Sequence, residues 1–535
     1  MRNMAFYCAF GLALLLSKMA FAENPLDTEL TFARYAPSER SFLTTLYEQL
    51  VQADPNKKTV VKVRAFKDNF VLNSAEASIL RKRDVNCHKA LEKQVGFSFD
   101  ANCLPRIAIC GCGGGYRAMY SLAGLLSGFT KTGVMDICQY IDALSGSTWA
   151  LAPWYLSKLP FDKFAPELIA RTVKNPLGLF ATNVFDWPTS VLDVIAASLL
   201  RRLAFNETPT VIDLYGYLIA RSTFDKTSKG HYLQIGAQHM IDRMAEGDRP
   251  IPLFTAVTIG KHSSYHWVEF SPLEVAFYDQ HVAIPAWSLG RKFSKGVSEG
   301  PSPFFPLGFF MGVWGSAISA SFKEAYNTAL DGLQPQALFA PLKDLAEETP
   351  VGDIRLFPAC INNPAYHMEG MPDADMRSFK FVDAGVDHNI PIAPLLQPAR
   401  GIDLIIICDT SGNLPSAQEL YKAERFAKEH NLPFPAITYD GIGEKVCTVF
   451  DDGPESMAPI VVYLPMTTNP NFSPEFDPQA LLNSYLHTAN LIYTTQQAKN
   501  ISGLFEQTAL DVTSTILLLA EELIQRKANC SKCLP

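Results

Sequence analysis

Five short runs of the chain are apolar on both faces: Arg106–Cys110, Tyr140–Leu144, Phe379–Asp383, Leu404–Asp409 and Ile460–Leu464. Each is bounded by turn residues, the pattern of strands buried on both sides in a parallel sheet covered by helices. A helical pattern runs from Tyr116 to Lys131 between the first two runs, and another helix opens at Ser145 after the second. Strand, helix, strand, helix demands crossover connections. The chain therefore predicts an α/β fold with a mainly parallel central sheet whose working turns gather at one end.

The flanks differ from this core. Residues 23–99 mix helical patterns with charged stretches such as Arg81-Lys82-Arg83-Asp84 and predict an N-terminal helical cover. Residues 285–375 are rich in proline and aromatic residues, with Phe304, Phe305, Phe309, Phe310 and Trp314 crowded around glycines; this reads as a cap or acyl-chain channel, or as ordinary core packing. Gly503–Gln525 has helical spacing and predicts a closing helix, so the core domain is expected over residues 100–528. At the start, Arg2 precedes the apolar stretch Ala5–Leu16, and Ala20-Phe21-Ala22 offers small residues at a cleavage site. These features predict a signal peptide over residues 1–22 and a secreted or periplasmic protein.

Composition adds little direction. A content of 48% hydrophobic residues in 535 supports a large core, and a net charge of -8 gives no reason to expect nucleic acid as a partner. Eleven cysteines are too few for a disulfide scaffold. Cys530 and Cys533, in the polar tail 529–535, have no second pair at zinc spacing and read as a local disulfide or free thiols, so no metal site is expected.

The chemistry is concentrated in two glycine-dense turns, Cys-Gly-Cys-Gly-Gly-Gly-Tyr-Arg at 110–117 and Ala-Leu-Ser-Gly-Ser-Thr-Trp at 143–149. The first presents backbone N–H groups at a helix start, where an oxyanion is stabilised. The second lifts Ser145 onto a strand-to-helix bend. A serine hydroxyl needs a base, and Asp383, ending a buried run before a glycine turn, is placed to be one. His388, five residues on, keeps a Ser-His-Asp triad open as a rival. A dinucleotide reading of Gly111-Cys112-Gly113 fails because Tyr116 stands where the third glycine belongs. Cys110 and Cys112 read as small apolar core residues.

The blocks Gly113–Met119, Leu144–Trp149, Trp267–Pro272, Phe310–Ala317, Val382–Gly385 and Arg400–Ile405 together resemble the catalytic domain of the cytosolic (group IV) phospholipase A2 family, relatives of patatin. The resemblance implies a three-layer patatin-like fold and a Ser-Asp dyad of Ser145 and Asp383. It also implies an oxyanion hole from Gly114 and Gly115, and Arg117 and Arg400 for the substrate phosphate. It further implies an acyl hydrolase acting on phospholipid at a membrane surface, without cofactor. Ala143 departs from the usual glycine, and Cys112 from the usual serine. The stretch before residue 100 has no room for a calcium-dependent targeting domain, and that between Trp314 and Asp383 is short, so calcium control is not implied and any lid is reduced. A weakly active lipid-binding protein and a neutral-lipid esterase are the competing functions; the esterase would need neither arginine.

Overall fold

The computed structural model describes residues 54–174, 202–224, 235–316 and 358–532, less a few single positions within them. The predicted signal peptide, residues 317–357 of the predicted cap, and the thiols of Cys530 and Cys533 lie outside the described residues. A two-residue edge strand, β1 (Arg64–Ala65), precedes helix α1 (Ser74–Val95). The side chain of Asn73 caps α1 by accepting the Glu76 N–H, and Gly96 ends it in the left-handed region at φ 78°. The buried Arg83 on α1 donates to the carbonyls of Met135, Cys138, Gly247 and Asp248, which ties this helix to the loops beneath the sheet.

The core begins with β2 (Ile107–Gly111), α2 (Gly115–Thr132) and β3 (Cys138–Ala143), the predicted strand-helix-strand unit. Helix α3 (Thr148–Leu156) follows the Ser145 turn. Next come β4 (Ile251–Ile259), β5 (Tyr265–Phe270), β6 (Glu274–Phe277) and β7 (Val282–Pro285), a separate hairpin of β8 (Phe293–Ser294) and β9 (Val297–Ser298), and helix α4 (Leu307–Trp314). The chain continues through β10 (Ala359–Asn362), β11 (Ser378–Asp383), β12 (Leu404–Asp409), helix α5 (Gln418–Glu429), β13 (Thr448–Phe450), β14 (Ile460–Pro465) and helix α6 (Thr495–Lys532).

Among the described residues these strands form one twelve-stranded sheet, ordered β1-β7-β6-β5-β4-β3-β2-β12-β14-β13, with β10 and β11 branching from β4. The five strands β4, β3, β2, β12 and β14 are parallel and form its centre. β2, β3, β12 and β14 are buried along their whole length, because helices cover both faces. The wing from β5 through β7 is antiparallel, built from tight turns rather than crossovers. β11 is the one predicted run that is not parallel: it runs antiparallel to β4, and its first residues are partly exposed.

Helix α2 is buried around its circumference from Gly115 to Phe129, because it lies between the sheet and α6. Glycines allow that closeness. A Cβ at Gly124 would lie 1.9 Å from the Ser502 carbonyl oxygen, and one at Gly128 would lie 2.5 Å from the Ala509 Cβ. Gly124→Ala should therefore force the helices apart and lower stability by about 1–3 kcal/mol. Gly412→Ala, where a Cβ meets nothing within 4 Å, should leave it unchanged. Equilibrium urea unfolding of the two variants checks the contrast, and equal midpoints would show that the interface yields.

Candidate active site

The turns after β2 and β3 lie against each other. Ser145 sits at φ 52°, a conformation that side chains avoid and that costs on the order of 1–3 kcal/mol unless neighbours enforce it. The neighbours here are specific. Leu144 donates its N–H to the Gly111 carbonyl at 3.0 Å, and Ser147 Oγ donates to the Cys112 carbonyl at 2.6 Å. Thr148 Oγ1 donates to the Ser145 carbonyl at 2.6 Å. Gly146 is required by contact, since a Cβ there would lie 1.8 Å from the Gly115 carbonyl oxygen. The bend forms with Ala143 in place of glycine, the residue paired with Gly111 on one side and Phe254 on the other.

The glycine turn opens α2 with Gly114 at φ 142° and Gly115 at φ 61°, both in the region that favours glycine. Gly114 is the N-cap and supplies no side chain, so the first N–H groups of the helix have no intrahelical acceptor. A Cβ at Gly113 would lie 2.9 Å from the Ser145 Cβ, which sets the two turns side by side.

Asp383 reaches the same place from β11. In register, Ala143 opposes Phe254 and Asp383 opposes Ala256 along one edge of β4. Two residues of strand put Ala143 and Asp383 roughly 7 Å apart, end to end on that edge. The surroundings agree: positions 113 and 385 both face Asn389 Oδ1 and Leu144 Cδ2, position 113 adjoining Ser145 and position 385 adjoining Asp383 Oδ1. Asp383 is fully buried, accepts the Gly385 N–H at 2.8 Å, and gives its own N–H to Ser316 Oγ at 3.1 Å. Phe254 lines an apolar cavity with Phe270, Phe310 and Trp314, and stacks on Trp314 with ring centroids 4.2 Å apart. The aromatic residues of α4 are buried in this packing.

The two predicted phosphate ligands lie in different settings. Arg400 is fully buried, donating to Glu76 Oε1 at 3.1 Å, Glu269 Oε1 at 2.7 Å and the Pro394 carbonyl at 2.9 Å. It has no face toward solvent from which a phosphate can reach it; its charge balances interior carboxylates. Asp142 lies in the field of the same cluster, and burial, reinforced by Glu269, drives its carboxyl well above the usual range. Arg117 does border the site, its Nη2 being 3.0 Å from where a Gly114 Cβ would stand. Three of its five N–H groups bond to protein: Nε donates to the Thr410 carbonyl at 2.8 Å, Nη1 to the Leu486 carbonyl, and Nη2 to Thr488 Oγ1 at 3.1 Å. Burial lowers its pKa to about 10.

The rival base also lies elsewhere. The buried His388 ring stacks on Trp267 at 4.2 Å and packs on Phe426 at 5.1 Å, a core position. Desolvation lowers its pKa to about 3. Cys110, Cys112 and Cys408 are buried beside the glycine turn, with thiols pushed up by desolvation, as core residues.

Three polar residues around the site carry no motif: Asn389, Thr410 and Ser411. Asn389 Nδ2 and Thr410 Oγ1 both donate to the Gly113 carbonyl, each at 2.9 Å. Thr410 and Ser411 follow β12 directly, at the carboxyl end of a buried parallel strand. That is the same positional signal that singled out Asp383.

A serine on a strained elbow, a glycine turn at a helix start and a buried carboxylate thus lie at the neighbouring ends of β3, β2 and β11. Residues 107–423, more than half of the chain, match the family model of the lysophospholipase catalytic domain, and the chain belongs to that family. It is 25% identical over 476 residues to mouse cytosolic phospholipase A2 zeta and 24% identical over 461 residues to the human protein of that name. Each alignment covers 74% of this chain and 53% of the relative, so the chain spans about half the length of these curated relatives. Its fold is similar to that of human GIVD cytosolic phospholipase A2, with a TM-score of 0.73 at 21% identity, covering 87% of this chain and 66% of that one. It is also similar to that protein in complex with methyl gamma-linolenyl fluorophosphonate inhibitor and terbium chloride, with a TM-score of 0.67 at 21% identity over the same shares.

The expectation of a secreted or periplasmic protein is overturned by these relatives, which are cytosolic phospholipases A2 by name and point to the cytosol. Among the described residues, Cys87, Cys103, Cys110, Cys112, Cys138, Cys360, Cys408 and Cys447 form no disulfide.

His388 makes stability depend on pH. Its native pKa, about 3, lies below the value of about 6.5 in an unfolded chain, so acid favours unfolding. The contribution is whole above pH 6.5 and lost as pH falls from there toward 3, on the order of 2 kcal/mol between pH 8 and pH 5. His388→Leu should flatten that acid slope by this amount in urea unfolding at the two pH values; an unaltered slope would show that the imidazole is protonated in the native protein.

Proposed function

We propose that the chain hydrolyses the acyl ester of phospholipids or lysophospholipids, with Ser145 as nucleophile and Asp383 as its base. The observation that carries this reading is the convergence of the Ser145 elbow and the Asp383 carboxylate along one edge of β4, beside the glycine turn. Asp383 takes the hydroxyl proton as Ser145 Oγ attacks the ester carbonyl. The oxyanion that forms is held by the backbone N–H groups of Gly114 and Gly115, near the positive end of α2. Collapse expels the lysophospholipid or glycerophospho-alcohol with the proton from Asp383 and leaves an acyl-serine. Water, deprotonated by Asp383, then releases the fatty acid.

The family and the names of the relatives support a phospholipid substrate. Arg400, enclosed with Glu76 and Glu269, is not assigned to the phosphate; Arg117, which borders the glycine turn and has N–H groups beyond the three bonded to protein, keeps that reading.

Ser145→Ala and Asp383→Asn should each reduce fatty-acid release from labelled phospholipid and lysophospholipid by about 10⁴-fold, measured in chelator on folded protein. His388→Leu should retain activity. Release that survives in either of the first two variants would reject the dyad. Equal turnover of matched esters with and without phosphate would favour a neutral-lipid esterase.

A further inference from the structure

The carbonyl of Gly113 accepts two side-chain hydrogen bonds, from Asn389 Nδ2 and Thr410 Oγ1, each at 2.9 Å. That carbonyl belongs to the same peptide unit as the N–H of Gly114. A trans peptide is planar, with its C=O and N–H pointing in opposite directions, and the described chain contains no cis peptide bond. Holding the oxygen on one side therefore sets the direction of the hydrogen on the other. Glycine on both sides of the bond leaves the flanking dihedrals soft, so the two side chains restrict a peptide whose own residues restrict it little.

Each half of the clamp is itself held. Asn389 gives its second amide hydrogen to Ser411 Oγ at 2.9 Å; Ser411 Oγ donates in turn to Asp409 Oδ1 at 2.5 Å, and Tyr463 holds Asp409 Oδ2 at 2.7 Å. Since the Gly113 oxygen only accepts and Ser411 spends its hydrogen on Asp409, the orientation of the Asn389 amide is forced. Its backbone is pinned too, the N–H donating to Glu419 Oε2 at 2.8 Å and the carbonyl accepting the Gly113 N–H at 3.2 Å. Thr410 is fixed through its own carbonyl, which accepts from Arg117 Nε at 2.8 Å.

We infer that Asn389 and Thr410 are positioning residues for acyl transfer: they fix the Gly113–Gly114 peptide so that its N–H is aimed at the oxyanion before substrate arrives. This rests on the proposal that Gly114 is an oxyanion donor. It also gives the buried Arg117 a use, as the brace behind Thr410. Preorganised donors need no reorientation during reaction, and a misplaced one loses most of its effect.

The test compares Asn389→Ala, Thr410→Val and Thr410→Ser with the parent chain, with kcat referred to active sites titrated by a fluorophosphonate. Asn389→Ala and Thr410→Val should each lower kcat by about 10–10²-fold with KM within about twofold, and Thr410→Ser, which keeps the hydroxyl, should restore it. Affinity for a fatty-acyl trifluoromethyl ketone, which adds serine to form a tetrahedral oxyanion, should fall with kcat, while affinity for the matching secondary alcohol should not. Unchanged kcat, a rise in KM alone, or equal loss of ketone and alcohol binding would overturn the inference. Variants that do not fold, Thr410→Ser included, would make the clamp structural and overturn it as well. Ser145→Ala assayed alongside separates the two proposals: full activity there defeats the dyad, whereas an inactive Ser145→Ala beside unimpaired clamp variants defeats only the positioning role.

Discussion

The contact between two backbone turns governs this molecule. Gly146 meets the Gly115 carbonyl at a separation that leaves no space for a methyl group, and Gly113 lies against the Ser145 Cβ. Such closeness needs glycine on both sides, and it is possible because β2 and β3 are parallel neighbours whose carboxyl ends finish level. The left-handed φ of Ser145 then follows from packing. The price in backbone strain is met by the hydrogen bonds of Leu144, Ser147 and Thr148 and by the buried sheet beneath them.

The antiparallel placement of β11 completes the arrangement. A strand running parallel to β4 would carry its carboxyl end away in the other sense; running antiparallel, β11 delivers Asp383 back toward the end of β3. Both strands share one edge of β4, so residues 238 positions apart in sequence, 145 and 383, become neighbours through the register of a third strand. The Ser316 hydroxyl and the Gly385 N–H then fix the main chain and the carboxylate of Asp383.

Arg400 shows how burial redirects a side chain that sequence marks for ligand. A guanidinium beside a catalytic turn reads as a phosphate ligand because its donors suit phosphate geometry. The same donors suit carbonyls and carboxylates. Once Arg400 is enclosed with Glu76 and Glu269, leaving any of these charges unpaired in the interior would cost far more than a surface contact gains. Arg117 is held in part by two carbonyls and a hydroxyl.

Local chemistry was therefore legible in the residues themselves: the buried strand runs, the helices after them, the glycine turn, the Ser145 elbow and an aspartate ending a strand. All depend on short-range patterning and on backbone conformations that few residues tolerate. The antiparallel wing was not legible, because an apolar run does not record the direction of its partner. Nor were the commitment of Arg400 to the interior, the stacking of His388 on Trp267, or the grip of Asn389 and Thr410 on Gly113. Those are decided by which donors and acceptors the fold brings within hydrogen-bonding distance, and hydrogen-bond partners remote in sequence leave no periodic mark along the chain.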